Sequence, residues 1–139
     1  MLLFQGRIKM YRFYGHENVS DETLSIYDRL SHIWAADTCA PRMRDRWTKD
    51  DPTLGQCSIT AFLVQDILGG RVYGIELPDG NYHCFNVVDG VVFDLTSEQF
   101  DETLDYEDCV EQFREDHFRK QEKKERYLLL KERYEREVK

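Results

Sequence analysis

The chain has 139 residues, 41% of them apolar, and carries 27 Asp or Glu against 19 Lys or Arg for a formal net charge of −8. That size suits one domain with a modest core. Residues 1–110 sum to −10 and residues 111–139 to +2, an acidic body that argues against a nucleic-acid partner, since phosphate backbones need clustered positive charge. There is no run of 18 apolar residues, and Met1–Phe4 is too short for a signal-peptide core; the expectation is a cytoplasmic protein with no membrane contact. Cys39, Cys57, Cys84 and Cys109 show no short paired spacing, so reduced thiols are expected, with no metal and no cofactor.

Residues 7–14 alternate imperfectly and are aromatic-rich, which allows a strand. Ser20 then offers an N-cap, Asp21 and Glu22 an acidic first turn, and Leu24, Tyr27, Leu30 and Trp34 an apolar stripe. Together they predict a helix over roughly residues 21–36. From Asp37 to Gly55 the period is lost, and a loop rich in charge with Pro41 and Pro52 leads to Cys57. Trp47 in that loop is a candidate wall for a substrate cleft, and equally a plug onto the core.

Gly55-Gln56-Cys57-Ser58-Ile59-Thr60-Ala61-Phe62 places a cysteine where a loop becomes an apolar helix. Unpaired amides and the helix dipole favour a thiolate at that position. Gly69-Gly70 ends the helix. A strand over 71–77, a turn at Pro78–Asn81 and a hairpin around Asp89-Gly90 follow. A two-residue Asp-Gly turn fixes the register: with Val88 opposite Val91, His83, Phe85, Val92, Asp94 and Thr96 share one face of the sheet. His83 and Asp94 are then diagonal neighbours, about 7–8 Å apart at the backbone and within side-chain reach. Asn86 falls on the opposite face and is the weaker partner for the histidine, while Glu76 competes if the preceding turn is tight.

Residues 96–100 predict a capped turn or short helix, and beyond Asp105 the pattern turns helical. Tyr106, Val110, Phe113 and His117 form one stripe, and Tyr127, Leu130, Tyr134 and Val138 another. One continuous helix of about 35 residues would span about 50 Å, more than the domain's width. It must therefore project, fold back or pair, and a homodimer through this helix is one expectation. The division expected is a catalytic-like domain over residues 1–104 and a helical extension over 105–139.

A cysteine on a helix start, then a histidine and an acid on successive antiparallel strands, is the order of a nucleophile, its base and the group orienting the base. The GQCSITAFLVQDILGG helix, the HCFN run at 83–86 and the DLTSEQF run at 94–100 resemble the papain-like and transglutaminase-like cysteine hydrolases, and more closely the YunG-like bacterial proteins. The resemblance covers about a third of the chain. It implies a catalytic triad of Cys57, His83 and Asp94, and it accords with the elements above, which predict a papain-like or transglutaminase-like α+β core with a central helix packed on a small antiparallel sheet, plus a long C-terminal helix. It also places Gln56 near the oxyanion site; Trp47, from its place in the loop, and Asn86, from the strand, are further candidates for the oxyanion or substrate side. The function expected is a hydrolase or acyltransferase acting on an amide or thioester of a small molecule or peptide; the alternative is a non-catalytic binding or assembly module of the same fold.

Overall fold

The computed structural model describes the backbone of residues 2–4 and 7–138 and the side chains from Met10 to Val138. Strands β1 (Leu2–Phe4) and β2 (Arg7–Lys9) form a separate antiparallel pair. The strand expected over 7–14 stops at Lys9. Further along, Tyr14 makes an isolated antiparallel bridge with Asp94. The next residue, Gly15, has φ +85°, and a Cβ there would lie 2.3 Å from Val92 O. Only glycine lets this segment approach the sheet so closely.

Helix α1 (Asp21–Ile33) starts as its sequence requires, with Ser20 Oγ accepting from the Thr23 amide at 3.2 Å. It ends before residue 36 because Trp34 turns to extended geometry, ψ 136°. The indole is then free to point inward, and its Nε1 donates to Thr60 Oγ1 at 2.9 Å. That bond ties α1 to helix α2 (Cys57–Leu68), whose residues from Ser58 to Val64 are all buried. An element buried on most of its circumference must lie at the centre of the fold.

The sheet that α2 crosses has four antiparallel strands in the order β5-β4-β3-β6, with β3 Arg71–Glu76, β4 Tyr82–Val88, β5 Val91–Phe93 and β6 Val110–Gln112. Asp89 and Gly90 have φ of 51° and 78°, as a tight two-residue hairpin turn demands, and Val88 lies opposite Val91. Val72, Cys84 and Phe93 join the core with α2, and Asn86 Nδ2 donates to Ala61 O at 2.9 Å. His83 and Phe85 take the other face. Fold class is therefore α+β, with one central helix against a small antiparallel sheet.

Residues 106–113 depart from the helical expectation. Val110–Gln112 is a strand on β3, and the Val110 and Phe113 side chains of the apparent stripe are 58% and 51% exposed. The local three-and-four spacing mimics a helix, but strand pairing with β3 satisfies the backbone instead. Helix α3 (Arg114–His117) and helix α4 (Gln121–Glu137) follow. The chain folds back between them: Tyr127, Leu130 and Tyr134 are buried in the same core as α1 and α2. Arg133 pairs with Asp37, Arg126 Nη1 donates to Thr38 O at 3.1 Å, and Tyr127 bonds Asp66. Val138, last of the stripe, is exposed.

Candidate active site

Cys57 is the first residue of α2 and is half-buried. Its backbone amide precedes the first helical bond, from Thr60 N–H to Gln56 O at 3.1 Å, so the first turn presents N–H groups toward the thiol. The sulfur meets two groups from β4. Adjacent residues of a strand face opposite ways, yet Cys84 and His83 both reach Cys57, because the helix start lies at the end of the strand where the Tyr82 carbonyl is 3.9 Å from Sγ. The Cys84 thiol, then the His83 imidazole, hold the Cys57 pKa well below the ordinary thiol value against the opposing effect of burial. Cys84 is pushed the other way, by its contact with Cys57 and by burial, and stays a protonated S–H donor.

His83 is itself buried, and its Nε2 lies 2.6 Å from Asp94 Oδ2. Burial lowers its pKa, but the Asp94 carboxylate more than offsets this and lifts it to about 10. With Nε2 taken by Asp94, Nδ1 is the nitrogen left for the thiol. Asp94 has every lone pair occupied: Tyr106 Oη donates to Oδ2 at 2.7 Å, and the Thr96 amide and hydroxyl donate to Oδ1 at 3.1 and 3.2 Å. A carboxylate so held cannot rotate away from the imidazole. Tyr106 is fixed in turn by stacking on Tyr14 at 3.9 Å and by edge contact with Phe85 at 5.0 Å.

The structure thus brings Cys57, His83 and Asp94 together, and sends the other candidates elsewhere. Glu76 lies opposite Tyr82, exposed, while His83 lies opposite Ile75. Asn86 is spent on the Ala61 carbonyl. The Gln56 side chain is fully buried, with Nε2 donating to Ala35 O at 3.0 Å; it holds the segment just after α1 rather than lining the cleft. Trp47 bonds Pro52 O at 3.0 Å and lines a separate surface hollow with Lys49 and Arg133.

Cys57 and His83 open onto a cleft of about 280 Å³. Phe100 closes one side, its ring set edge-on against His83 at 4.7 Å. Gln99 closes another, its Nε2 donating to Thr96 O at 2.9 Å. The remaining wall comes from the C-terminal part of the chain: Gln112, His117, Lys123 and Arg126. Sequence periodicity missed these residues because they sit on elements whose docking is set by tertiary packing. The one available signal was the switch to net positive charge after residue 110. Among the described residues no group of three or more His, Cys, Asp or Glu could hold a metal ion.

The fold and this cluster define a class: an α+β protein with a thiol, an imidazole and a carboxylate in line at the start of its central helix. The family described as YunG protein matches residues 22–139, and the chain belongs to that family. A relative, the "Uncharacterized protein YunG" of Bacillus subtilis (strain 168), is 40% identical over 62 residues, which is 45% of this chain and 53% of the relative. The match thus spans about half the relative's length. No solved structure matches. No helix of the described residues is long and apolar enough to cross a membrane.

Proposed function

We propose that the protein is a cysteine hydrolase or acyltransferase of the papain-like and transglutaminase-like kind, acting on an amide or thioester. The observation that carries this is the His83–Asp94 contact of 2.6 Å in a fully buried setting, beside a thiol whose pKa is pulled down. A buried imidazole with a carboxylate on Nε2 has Nδ1 directed to a nucleophile, which is a catalytic arrangement. His83 Nδ1 takes the Cys57 proton; the thiolate attacks the carbonyl carbon, forming a C–S bond as the C=O pair moves to oxygen. First-turn amides of α2 stabilise that oxyanion, a contribution of about 3 kcal/mol per donor. The imidazolium then protonates the departing amine or thiol, and water or an amine accepts the acyl group from Cys57 with His83 as base. A thiolate nucleophile must stay reduced, which fits a cytoplasmic setting.

Alkylation by iodoacetamide at pH 6, read by mass spectrometry at each cysteine, tests this reading. A free thiol is barely ionised there, and thiolate nucleophilicity falls by only about half of each pKa unit lost. Cys57 should therefore label on the order of tenfold faster than free cysteine, and a Cys57→Ala variant with unchanged melting should lose the fast site altogether. Protection of Cys57 until the protein unfolds would instead favour a binding module that uses the same fold without catalysis.

A further inference from the structure

The cleft beside Cys57 differs in charge from the rest of the molecule. On a chain of net charge −8 it is lined by Arg42, Lys120, Lys123 and Arg126, with Asp116 as the one carboxylate in its lining among the described residues. These cations are not equivalent. Arg126 is neutralised by Glu122 at 2.7 Å and spends a further N–H on the Thr38 carbonyl. Asp116 turns to Arg119 at 3.5 Å. Among the described residues, Lys123, Lys120 and Arg42 make no ion pair.

Lys123 is the one of these three that is built in. It is half-buried on α4, and its Nζ lies 2.9 Å from His117 Nδ1. His117 Nε2 lies 2.8 Å from Gln112 Oε1, whose amide nitrogen is itself bound to Val110 O. An amide oxygen only accepts, so His117 carries its proton on Nε2 and offers Nδ1 as acceptor to the lysine. Burial and the neighbouring Lys123 charge hold the His117 pKa down to about 4, which keeps that tautomer neutral. A chain of three side chains from β6, α3 and α4 thus aims one ammonium into the cleft with no carboxylate paired to it among the described residues; burial works against its charge, and the opposing influences are the Cys84 and Cys57 sulfurs. An unpaired, partly desolvated ammonium is costly unless an anion joins it.

We propose that this wall, centred on Lys123 and supported by Lys120 and Arg42, is a subsite for a carboxylate carried by the acyl donor that Cys57 attacks. The proposal rests on the reading of Cys57 as nucleophile. A carboxylate fits better than a phosphate because the buried guanidinium fork of Arg126 is already occupied and Arg42 and Lys120 are exposed, so the one partly buried cation left is the point-like ammonium of Lys123, suited to a single negative charge. The volume of about 280 Å³ limits the donor to a small molecule or the end of a peptide.

Iodoacetate and iodoacetamide deliver the same carbon to a thiolate, one with a carboxylate and one without. Their rate ratio at Cys57 therefore reports the subsite while cancelling the reactivity of the sulfur. The ratio in the wild-type protein should exceed that of free cysteine by about fivefold despite the acidic body. Lys123→Met should return it to the free-cysteine value, and Lys123→Arg should keep most of it. N-acetylglycine should protect Cys57 from iodoacetamide more than inorganic phosphate does at equal ionic strength. A wild-type ratio equal to that of free cysteine, with both reagents fast at Cys57, would overturn the subsite and leave the nucleophile standing. Slow labelling by both reagents would overturn both. If Lys123→Met slows the two reagents equally, the lysine serves the thiolate and not a ligand, and the proposal fails. Protection by phosphate alone would replace the carboxylate with a phosphate group. Should Lys123→Met not fold, the wild-type ratio and Lys123→Arg decide.

Discussion

The two walls of the cleft are built on opposite plans. On the β4 side, His83 and Asp94 are each 1% exposed, and every oxygen lone pair of Asp94 that could stray has a donor from Thr96, Tyr106 or His83. On the α4 side, Lys123 is held by a neutral imidazole, and Lys120, like Arg42 from the segment before α2, is exposed and makes no ion pair among the described residues. Proton transfer needs a fixed distance, and a preorganised network supplies it without reorganisation at the moment of reaction. Recognition needs charge that is not already satisfied. Under the proposed function the chemistry belongs to one wall and the selection of substrate to the other, and variants on the rigid wall are the sharpest way to test that division.

Asp94→Asn should have the largest effect. The amide keeps the shape but replaces one acceptor oxygen with a donor, so the His83 or Tyr106 contact at Oδ2 is lost. An opposite charge at such distance shifts a pKa by about 1–3 units, so Cys57 alkylation at pH 6 should fall on the order of tenfold or more. Stability should fall too, and in a defined window. His83 is raised from its ordinary value to about 10 in the fold, so its contribution is fully present below pH about 6.5 and lost as pH rises through about 10. The gap in unfolding free energy between wild type and Asp94→Asn should therefore shrink between pH 6 and pH 10 in urea melts. A constant gap, together with an unchanged alkylation profile, would remove Asp94 from the role of orienting group.

The His83–Asp94 contact itself was legible in the sequence because it depends on one local fact. Asp89-Gly90 with φ of 51° and 78° makes a two-residue turn, the turn fixes Val88 against Val91, and alternation carries the register out to His83 and Asp94. The cap at Ser20 and the helix beginning at Cys57 were readable for the same reason. What could not be read is whatever depends on contacts between distant segments. Tyr106 looks like a helix residue by spacing but closes over Asp94 from a turn. Lys123 and His117 reach the cleft only because α4 packs Tyr127, Leu130 and Tyr134 onto α1 and α2. The same packing means that truncation after Glu122 would remove part of the core, so it tests folding before it tests association. Gln56 and Trp47, plausible cleft residues by proximity in sequence, are drawn off by the Ala35 and Pro52 carbonyls, since a buried polar side chain takes the partner it can reach.

Cys84→Ala should produce a smaller change that isolates the thiol pair. The Cys84 S–H is the foremost influence lowering the Cys57 pKa. Without it the thiolate keeps His83 but loses a donor, and alkylation at pH 6 should slow by a few-fold, about five. At pH 9 the two proteins should react alike. The loss of one buried sulfur should cost about 1 kcal/mol in stability. If Cys84→Ala reacts normally at pH 6, the low pKa of Cys57 belongs to His83 and the helix start alone.

Tyr106→Phe is the gentlest probe, and it asks whether rigidity and reactivity on this wall can be separated. The ring remains, so the stack on Tyr14 and the edge contact with Phe85 should persist. Only the hydroxyl that donates to Asp94 Oδ2 at 2.7 Å is lost. A hydrogen bond to a charged group contributes roughly 1.5–3 kcal/mol, so the urea midpoint should drop measurably. Reactivity should move the other way or not at all. With one donor fewer, the carboxylate concentrates more of its charge on the His83 Nε2–H, which favours the imidazolium and so the thiolate. Alkylation of Cys57 at pH 6 should stay within about twofold of wild type. A tenfold loss of alkylation would mean that Tyr106 positions Asp94 for the imidazole, and the proton-handling unit would then extend from three side chains to four.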